Sequence, residues 1–171
     1  IYEGEVIKSN LIKNSLKNIT VINSCAVTAE AEKKVKYEIR RAKRNNPKNK
    51  IIVTGCAAQI NPDEYKKLKE VDLVLGNKEK LQSEVWKKLN FKKTIQVDNI
   101  LLENETVPTK IENFEGKSRA YVEIQQGCDH NCTFCIIPFG RGKSRSVPAG
   151  EVVNRIKNIV KNGFKEVVLT G

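Results

Sequence analysis

The sequence predicts an α/β fold: an N-terminal three-layer domain on a parallel sheet, followed by the first βα unit of a second, barrel-like domain. Three observations carry that expectation. Apolar runs "ITVINSC", "KIIVTGC" and "VDLVLG" alternate with helix-like segments over residues 19–89, and such alternation implies parallel strands joined by right-handed crossovers. After a polar stretch, "AYVEIQQGC" begins a new strand pattern. Cys25 and Cys56 each follow a strand directly, at the sheet edge where α/β proteins collect ligands.

The elements follow in order. After the first strand, Thr28 can cap a helix with Glu30 and Glu32 in its first turn and Arg40, Arg41, Lys43 and Arg44 near its end. That polarity suits the helix dipole. Ala31, Val35, Ile39 and Ala42 recur at helical spacing and face the sheet. After the second strand, Asn61 is expected to cap a helix, with Pro62 first and Glu64 at capping-box spacing. After the third, Asn77 starts a helix carrying Leu81, Val85 and Leu89 on one face, with Trp86 beside it as a packing residue. Residues 90–118, with Pro108, read as a linker carrying one or two edge strands. The divisions expected are therefore 1–89, 90–118 and 119–171. In the last, Ala120, Val122 and Ile124 alternate as a strand, Pro148 opens a helix that Gly163 ends, and "KEVVLTG" is the next strand. Strand, loop, helix, strand is the first step of a parallel barrel.

The 171 residues contain no Met and stop on a strand pattern, so the chain is expected to be a segment of a longer protein. Its 31 Lys+Arg against 20 Asp+Glu, net +11, favour a polyanionic partner, nucleic acid before an anionic membrane; the alternative is a solvated basic surface. No apolar run is long enough to span a bilayer and nothing resembles a signal peptide. A cytoplasmic location is the expectation, and there the five cysteines point to metal or catalysis before disulfides.

Cys128, Cys132 and Cys135 lie together in "GCDHNCTFC". Zinc could use them with His130 as a Cys₃His set, although that spacing is crowded beside paired zinc ligands. A redox dithiol through Cys132 and Cys135 leaves Cys128 unexplained. An iron–sulfur cube takes four thiolates as a rule. Three would leave one iron open for a substrate or cofactor.

"CDHNCTFC" resembles the Cys-x₃-Cys-x₂-Cys signature of radical S-adenosylmethionine enzymes, including Phe134 before the third cysteine. More widely, "INSCAVTAEAEKKVKYEIRRAKRNNP", "IIVTGCAAQ", "VDLVLGNKEK", "EIQQGCDHNCTFCIIPFGRGKSRS" and "NGFKEVVLTG" resemble the methylthiotransferase family that modifies tRNA. "CAVTAEA", "LGNKEK" and "VVLTG" are most similar to its branch acting on N6-threonylcarbamoyladenosine at position 37. The isopentenyladenosine branch and a branch acting on a ribosomal protein are the alternatives within the family. Outside it stand a zinc-stabilised RNA-binding module and an electron-transfer protein.

The resemblance implies two [4Fe–4S] clusters in the parent protein. Cys128, Cys132 and Cys135 would hold the one that binds S-adenosylmethionine, with Phe134 near the adenine and Thr170 and Gly171 near the methionyl part. Cys25 and Cys56 would hold the auxiliary cluster, whose third family cysteine falls before "IYEGEV". It further implies a reductant as partner, cleavage of one cofactor molecule to a radical that removes hydrogen from C2 of the adenine, and methyl donation from another to sulfur. The segment by itself is expected to be inactive. Arg141, Lys143 and Arg145 in "GRGKSR" are the candidate phosphate contacts for tRNA.

Overall fold

The computed structural model describes residues 2–92, 94–106, 118–130 and 132–171. It opens on a helix the sequence reading did not assign, α1 (Tyr2–Lys13), with Glu3 and Glu5 in its first turn and Lys13 in its last. Tyr2 and Val6 enter one hydrophobic cluster while Ile7 enters another. A helix buried on two sides shows no single apolar stripe, which is why its signal in the sequence is weak.

The sheet follows as expected. β1 (Ile19–Ser24) leads to α2 (Ala29–Asn45), and the Thr28 hydroxyl accepts from the Ala31 N–H at 3.1 Å as its N-cap. β2 (Lys50–Gly55) runs straight into α3 (Cys56–Ile60), and α4 (Pro62–Lys66) follows. The Asn61 side chain makes no cap hydrogen bond; its carbonyl instead accepts from the Glu64 N–H at 3.2 Å. Pro62, lacking an N–H, still opens α4 as expected.

β3 (Leu73–Leu75) is followed not by one helix from Asn77 but by a 3₁₀ turn, Glu79–Leu81, and then α5 (Ser83–Lys87). Gln82 between them is extended, and Trp86 Nε1 donates to the Lys80 carbonyl at 2.9 Å. A local side-chain bond thus takes a carbonyl that a continuous helix would use, and the helix breaks. β4 (Ile95–Gln96) supplies an edge strand within the expected linker, and residues 100–102 form a second 3₁₀ turn. Pro108 lies outside the described residues.

The four strands are parallel in the order β1-β2-β3-β4. Side-chain alternation makes both faces apolar. Ile51, Val53 and Val74 pack with Val35, Ile39 and Tyr65 on one face, while Ile52, Leu73 and Leu75 pack with Ile7 and Trp86 on the other. Helices therefore cover both sides, giving the three layers.

At the far edge, Ser24 Oγ donates to the Thr54 carbonyl at 2.6 Å and accepts from the Ala58 N–H at 3.0 Å. Ser24 is buried and pins α3 to the sheet. Ser24→Ala leaves both groups unmatched and is expected to lower stability by about 1–3 kcal/mol, measured by urea denaturation.

The second part contains β5 (Arg119–Glu123), β6 (Gln125–Gln126), α6 (Ile137–Arg141), β7 (Arg145–Ser146), α7 (Ala149–Lys161) and β8 (Glu166–Thr170). β5 and β8 pair in parallel from Arg119↔Glu166 to Glu123↔Thr170, with α7 in the crossover. The strand-helix-strand reading is seen here directly. The antiparallel ribbon β6–β7 was not foreseen, because two residues per strand carry no alternation to read. Ala120, Val122 and Ile159 share a cluster with Tyr2, Val6 and Leu81. Helix α1 and the turn before α5 thereby join the two parts.

Candidate functional site

Two groups of thiols arise from two kinds of local structure. The β1–β2 register pairs Ser24 with Gly55, so Cys25 and Cys56 leave adjacent strand ends. Gly55 has φ +98°, and a side chain there would meet the Ser24 backbone. Cys56 is half-buried at the start of α3, while Cys25 is exposed.

The second group lies on the loop between β6 and α6. Gly127 turns the chain with φ +74°, and a Cβ there would collide with the carbonyls of Gly142 and Lys143. The Cys128 N–H donates to the Gly142 carbonyl at 3.1 Å, and the Ser144 N–H donates to Asp129 Oδ1 at 2.8 Å. The β6–β7 ribbon and these bonds clamp the loop at its base. Cys135 N–H donates to the Cys132 carbonyl at 3.0 Å, folding the second pair into a turn. Cys128 and Cys135 are half-buried and Cys132 is exposed. Among the described residues, no three Cys, His, Asp or Glu side chains stand in a metal-holding arrangement.

Cys56 stands where the two parts meet, because α6 packs on α3. A Cβ built at Gly140 would lie 2.9 Å from Cys56 Cβ and 3.3 Å from its sulfur. Only a glycine lets the backbone of α6 come so close to that thiol. Asn77 Nδ2 approaches Cys56 Sγ at 3.7 Å and donates to the Gly140 carbonyl at 2.5 Å. Arg141 pairs with Glu3 Oε1 at 3.6 Å. Glu3 Oε2 pairs in turn with Lys80 Nζ at 2.8 Å. Burial works to raise the Glu3 carboxyl, but Lys80 and Arg141 hold its pKa below the ordinary value.

Beside this junction opens a cavity of about 550 Å³, lined by Glu3, Glu123, Cys128, Arg141, Thr170 and Gly171 among others. Burial raises the Glu123 carboxyl above the ordinary range, against a hydrogen bond from Gln126 Nε2 at 2.8 Å. The cavity thus holds both charge signs beside one of the loop thiols.

The expected site residues separate into distinct places. Thr170 and Gly171 line the cavity, as does Arg141, whereas Phe134 is 90% exposed and His130 is exposed. Of the three candidate phosphate contacts, Lys143 is exposed. Arg145 is turned inward, 6% exposed, donating to the Arg141 carbonyl at 2.8 Å and to Gln126 Oε1 at 3.2 Å. A guanidinium so placed braces the ribbon and α6 rather than meeting a phosphate. Sequence reading missed Glu3, Asn77, Lys80 and Glu123 as site residues; Asn77 read as a helix start, and although Asn77, Lys80 and Glu123 lie in stretches that resemble the family, nothing there singled them out.

A further carboxylate lies behind the junction. Glu79 is 6% exposed and its Oε2 has no hydrogen-bond partner among the described residues. Burial, reinforced by the negative charge of Asp98, pushes its pKa up to about 7. The folded state therefore holds a proton that the unfolded chain releases near the ordinary carboxylate pKa of 4.5. Stability from this group is full below about 4.5 and declines as pH rises toward about 7. Glu79→Gln is expected to flatten the thermal-melting profile across that window.

The donor set suits iron–sulfur chemistry. Soft thiolates select such clusters, and the Cys128–Cys135 loop offers three of them with no second histidine nearby. At the other group, glycine at 140 leaves the Cys56 sulfur bordered by N–H donors instead of a side chain. N–H donors to sulfur are a known means of tuning clusters.

Two family models match separate stretches of the chain. Residues 7–76 match the model of Uncharacterized protein family UPF0004, and residues 122–171 match the Radical SAM superfamily. The second part is thus the start of a radical S-adenosylmethionine domain. Among relatives, the threonylcarbamoyladenosine tRNA methylthiotransferase MtaB of Rickettsia prowazekii is 53% identical over 171 residues, 100% of this chain and 40% of that protein. The protein of the same name from Aquifex aeolicus is 44% identical over 162 residues, 91% of this chain and 39% of its own length. The tRNA-2-methylthio-N(6)-dimethylallyladenosine synthase of Staphylococcus haemolyticus is 34% identical over 162 residues, 90% of this chain and 31% of its own. The chain matches the radical S-adenosylmethionine methylthiotransferases and is most like their threonylcarbamoyladenosine, MtaB-like branch. It spans two-fifths or less of the length of these relatives. Among the described residues, no helix is long and apolar enough to cross a membrane.

Proposed function

We propose that the protein to which this chain belongs is a tRNA methylthiotransferase, acting on C2 of N6-threonylcarbamoyladenosine at position 37 in the cytoplasm. The observation that carries this reading is the packing of α6 on Cys56, which sets one thiol group against the domain bearing the other. The relatives' identities, 53% and 44% against 34%, favour the threonylcarbamoyl substrate over the dimethylallyl one.

In this reading Cys128, Cys132 and Cys135 hold one [4Fe–4S] cluster, and Cys25 and Cys56 supply two ligands of a second. The clusters and S-adenosylmethionine supply reducing and radical chemistry when bound, with electrons from an external reductant. The chain's own residues bind, orient and screen. Ligand binding is coupled to local folding, so the loop clamped at its base would hold its cluster through Cys128, Cys132 and Cys135. Thr170 and Gly171 bound the cavity where the methionyl end would lie, and Phe134 would close over the adenine. Arg141, paired with Glu3 in the cavity wall, has its charge partly committed there. Lys143 stays available to a phosphate at the mouth of the loop. Lys143→Ala in the full-length protein is expected to weaken tRNA binding and lower the salt-dependence slope by about 1, read by fluorescence titration at several salt concentrations.

The test is complementation. A strain lacking this modification should regain the 2-methylthio derivative of N6-threonylcarbamoyladenosine on expression of the full-length protein, detected by mass spectrometry of digested tRNA. Appearance of the isopentenyl product alone would overturn the substrate. Zinc in place of iron and sulfide in anaerobically purified protein would move it to the class of metal-stabilised RNA-binding modules.

A further inference from the structure

We propose that Asn77, braced by the buried Lys80, is the positioning residue that orients Cys56 as a cluster ligand and fastens that ligand to the radical domain. The inference rests on the reading of Cys56 as an auxiliary-cluster ligand and adds two residues that the cysteine pattern does not identify.

The Asn77 amide is oriented by its neighbours. Its Oδ1 accepts from Lys80 Nζ at 2.7 Å. An ammonium only donates, so the oxygen must face Lys80 and the NH₂ must face the other way. That other side holds the Gly140 carbonyl at 2.5 Å and Cys56 Sγ at 3.7 Å. One N–H serves each. The backbone is held too, since the Asn77 N–H donates to Gln59 Oε1 at 2.8 Å, and Gln59 Nε2 donates to the Asp98 carbonyl at 2.8 Å. Asn77 therefore reaches across 63 residues of sequence to α6 while presenting a donor to the thiol.

Lys80 gives the arrangement its second support. It is 1% exposed, and Nζ is shared among Asn77, Glu3 at 2.8 Å and Asn23 Oδ1 at 3.4 Å. A buried ion pair is weak evidence for stability, since an apolar residue of similar size often serves as well. What an apolar residue cannot do is fix the Asn77 amide. Glu3 extends the same chain of contacts to Arg141. Such hydrogen bonds stabilise the more electron-rich, reduced form of a cluster and hold the ligand in place.

The experiment uses anaerobically reconstituted full-length protein and the variants Asn77→Asp, Lys80→Met and Lys80→Arg. Asn77→Asp keeps an oxygen for Lys80 but loses both N–H donors. Two readouts are followed for each cluster separately: the rate of iron release to a chelator, and the midpoint potential by redox titration with electron paramagnetic resonance. Asn77→Asp and Lys80→Met are each expected to release auxiliary iron about 10–100-fold faster and to shift that cluster's potential negative. The S-adenosylmethionine-responsive signal of the other cluster should be unchanged, and Lys80→Arg should restore wild-type release. Unchanged release and potential in both variants would overturn the inference. So would parallel loss of iron from both clusters, the mark of a merely structural role. Wild-type protein with a single cluster, about four irons per chain, would fail the underlying reading and the inference with it, before any variant is compared. If Asn77→Asp does not fold, Lys80→Met and its rescue by Lys80→Arg decide the matter.

Discussion

Cys132→Ala in the full-length protein is expected to abolish methylthiolation while leaving the fold intact. Cys132 is exposed, so its side chain contributes little to packing, and stability should change by no more than about 0.5 kcal/mol. The functional loss has a different origin. A loop with three thiolates can hold three irons of a cube, and removing the central one leaves only two ligands on the loop. Iron should fall from about eight to about four per chain, and the remaining signal should no longer respond to S-adenosylmethionine. Iron and sulfide analysis with a melting curve checks both halves of the expectation. Activity in a variant that has lost this cluster would overturn the radical mechanism.

The opposite pattern is expected of Trp86→Ala, a large loss of stability at a residue that touches no thiol. Trp86 is fully buried against Ile7, Ile52, Leu73 and Leu75, and its Nε1 donates to the Lys80 carbonyl. Removing so large a side chain costs about 3–5 kcal/mol, which for a chain of this size lowers the melting temperature by roughly 10 °C. Trp86→Phe, which keeps most of the packing and loses the N–H, should cost nearer 1–3 kcal/mol through the unmatched carbonyl. Equal losses in the two variants would show that the hydrogen bond, not the packing, dominates.

How much of this was legible beforehand follows from the range of each signal. The strands over Ile19–Ser24, Lys50–Gly55 and Leu73–Leu75, the Thr28 cap and the β5–β8 pairing come from patterns within a few residues. Such patterns survive folding because backbone geometry imposes them. The helix expected from Asn77 failed for the converse reason. Its residues favoured a helix locally, but Asn77 and Lys80 found partners elsewhere in the fold, and Trp86 turned back to the Lys80 carbonyl. Arg145 shows the same limit in the loop "GRGKSR". Its charge suited a phosphate, and only the folded ribbon showed it already engaged with Gln126 and the Arg141 carbonyl.

By itself the sequence determined the α/β class, the parallel order of elements and the five thiols with their spacing, because periodicity and spacing are properties of neighbouring residues. Tertiary structure alone decided which side chains surround those thiols. Lys80 meets Glu3 across 77 residues and Asn77 meets Gly140 across 63, and no local pattern encodes such a meeting. It exists because α1 and the 3₁₀ turn before α5 share an apolar cluster with β5 and α7. That packing brings α1 and the turn before α5 against the second part, and the buried charges there are tolerable because Lys80 and Glu3 pair.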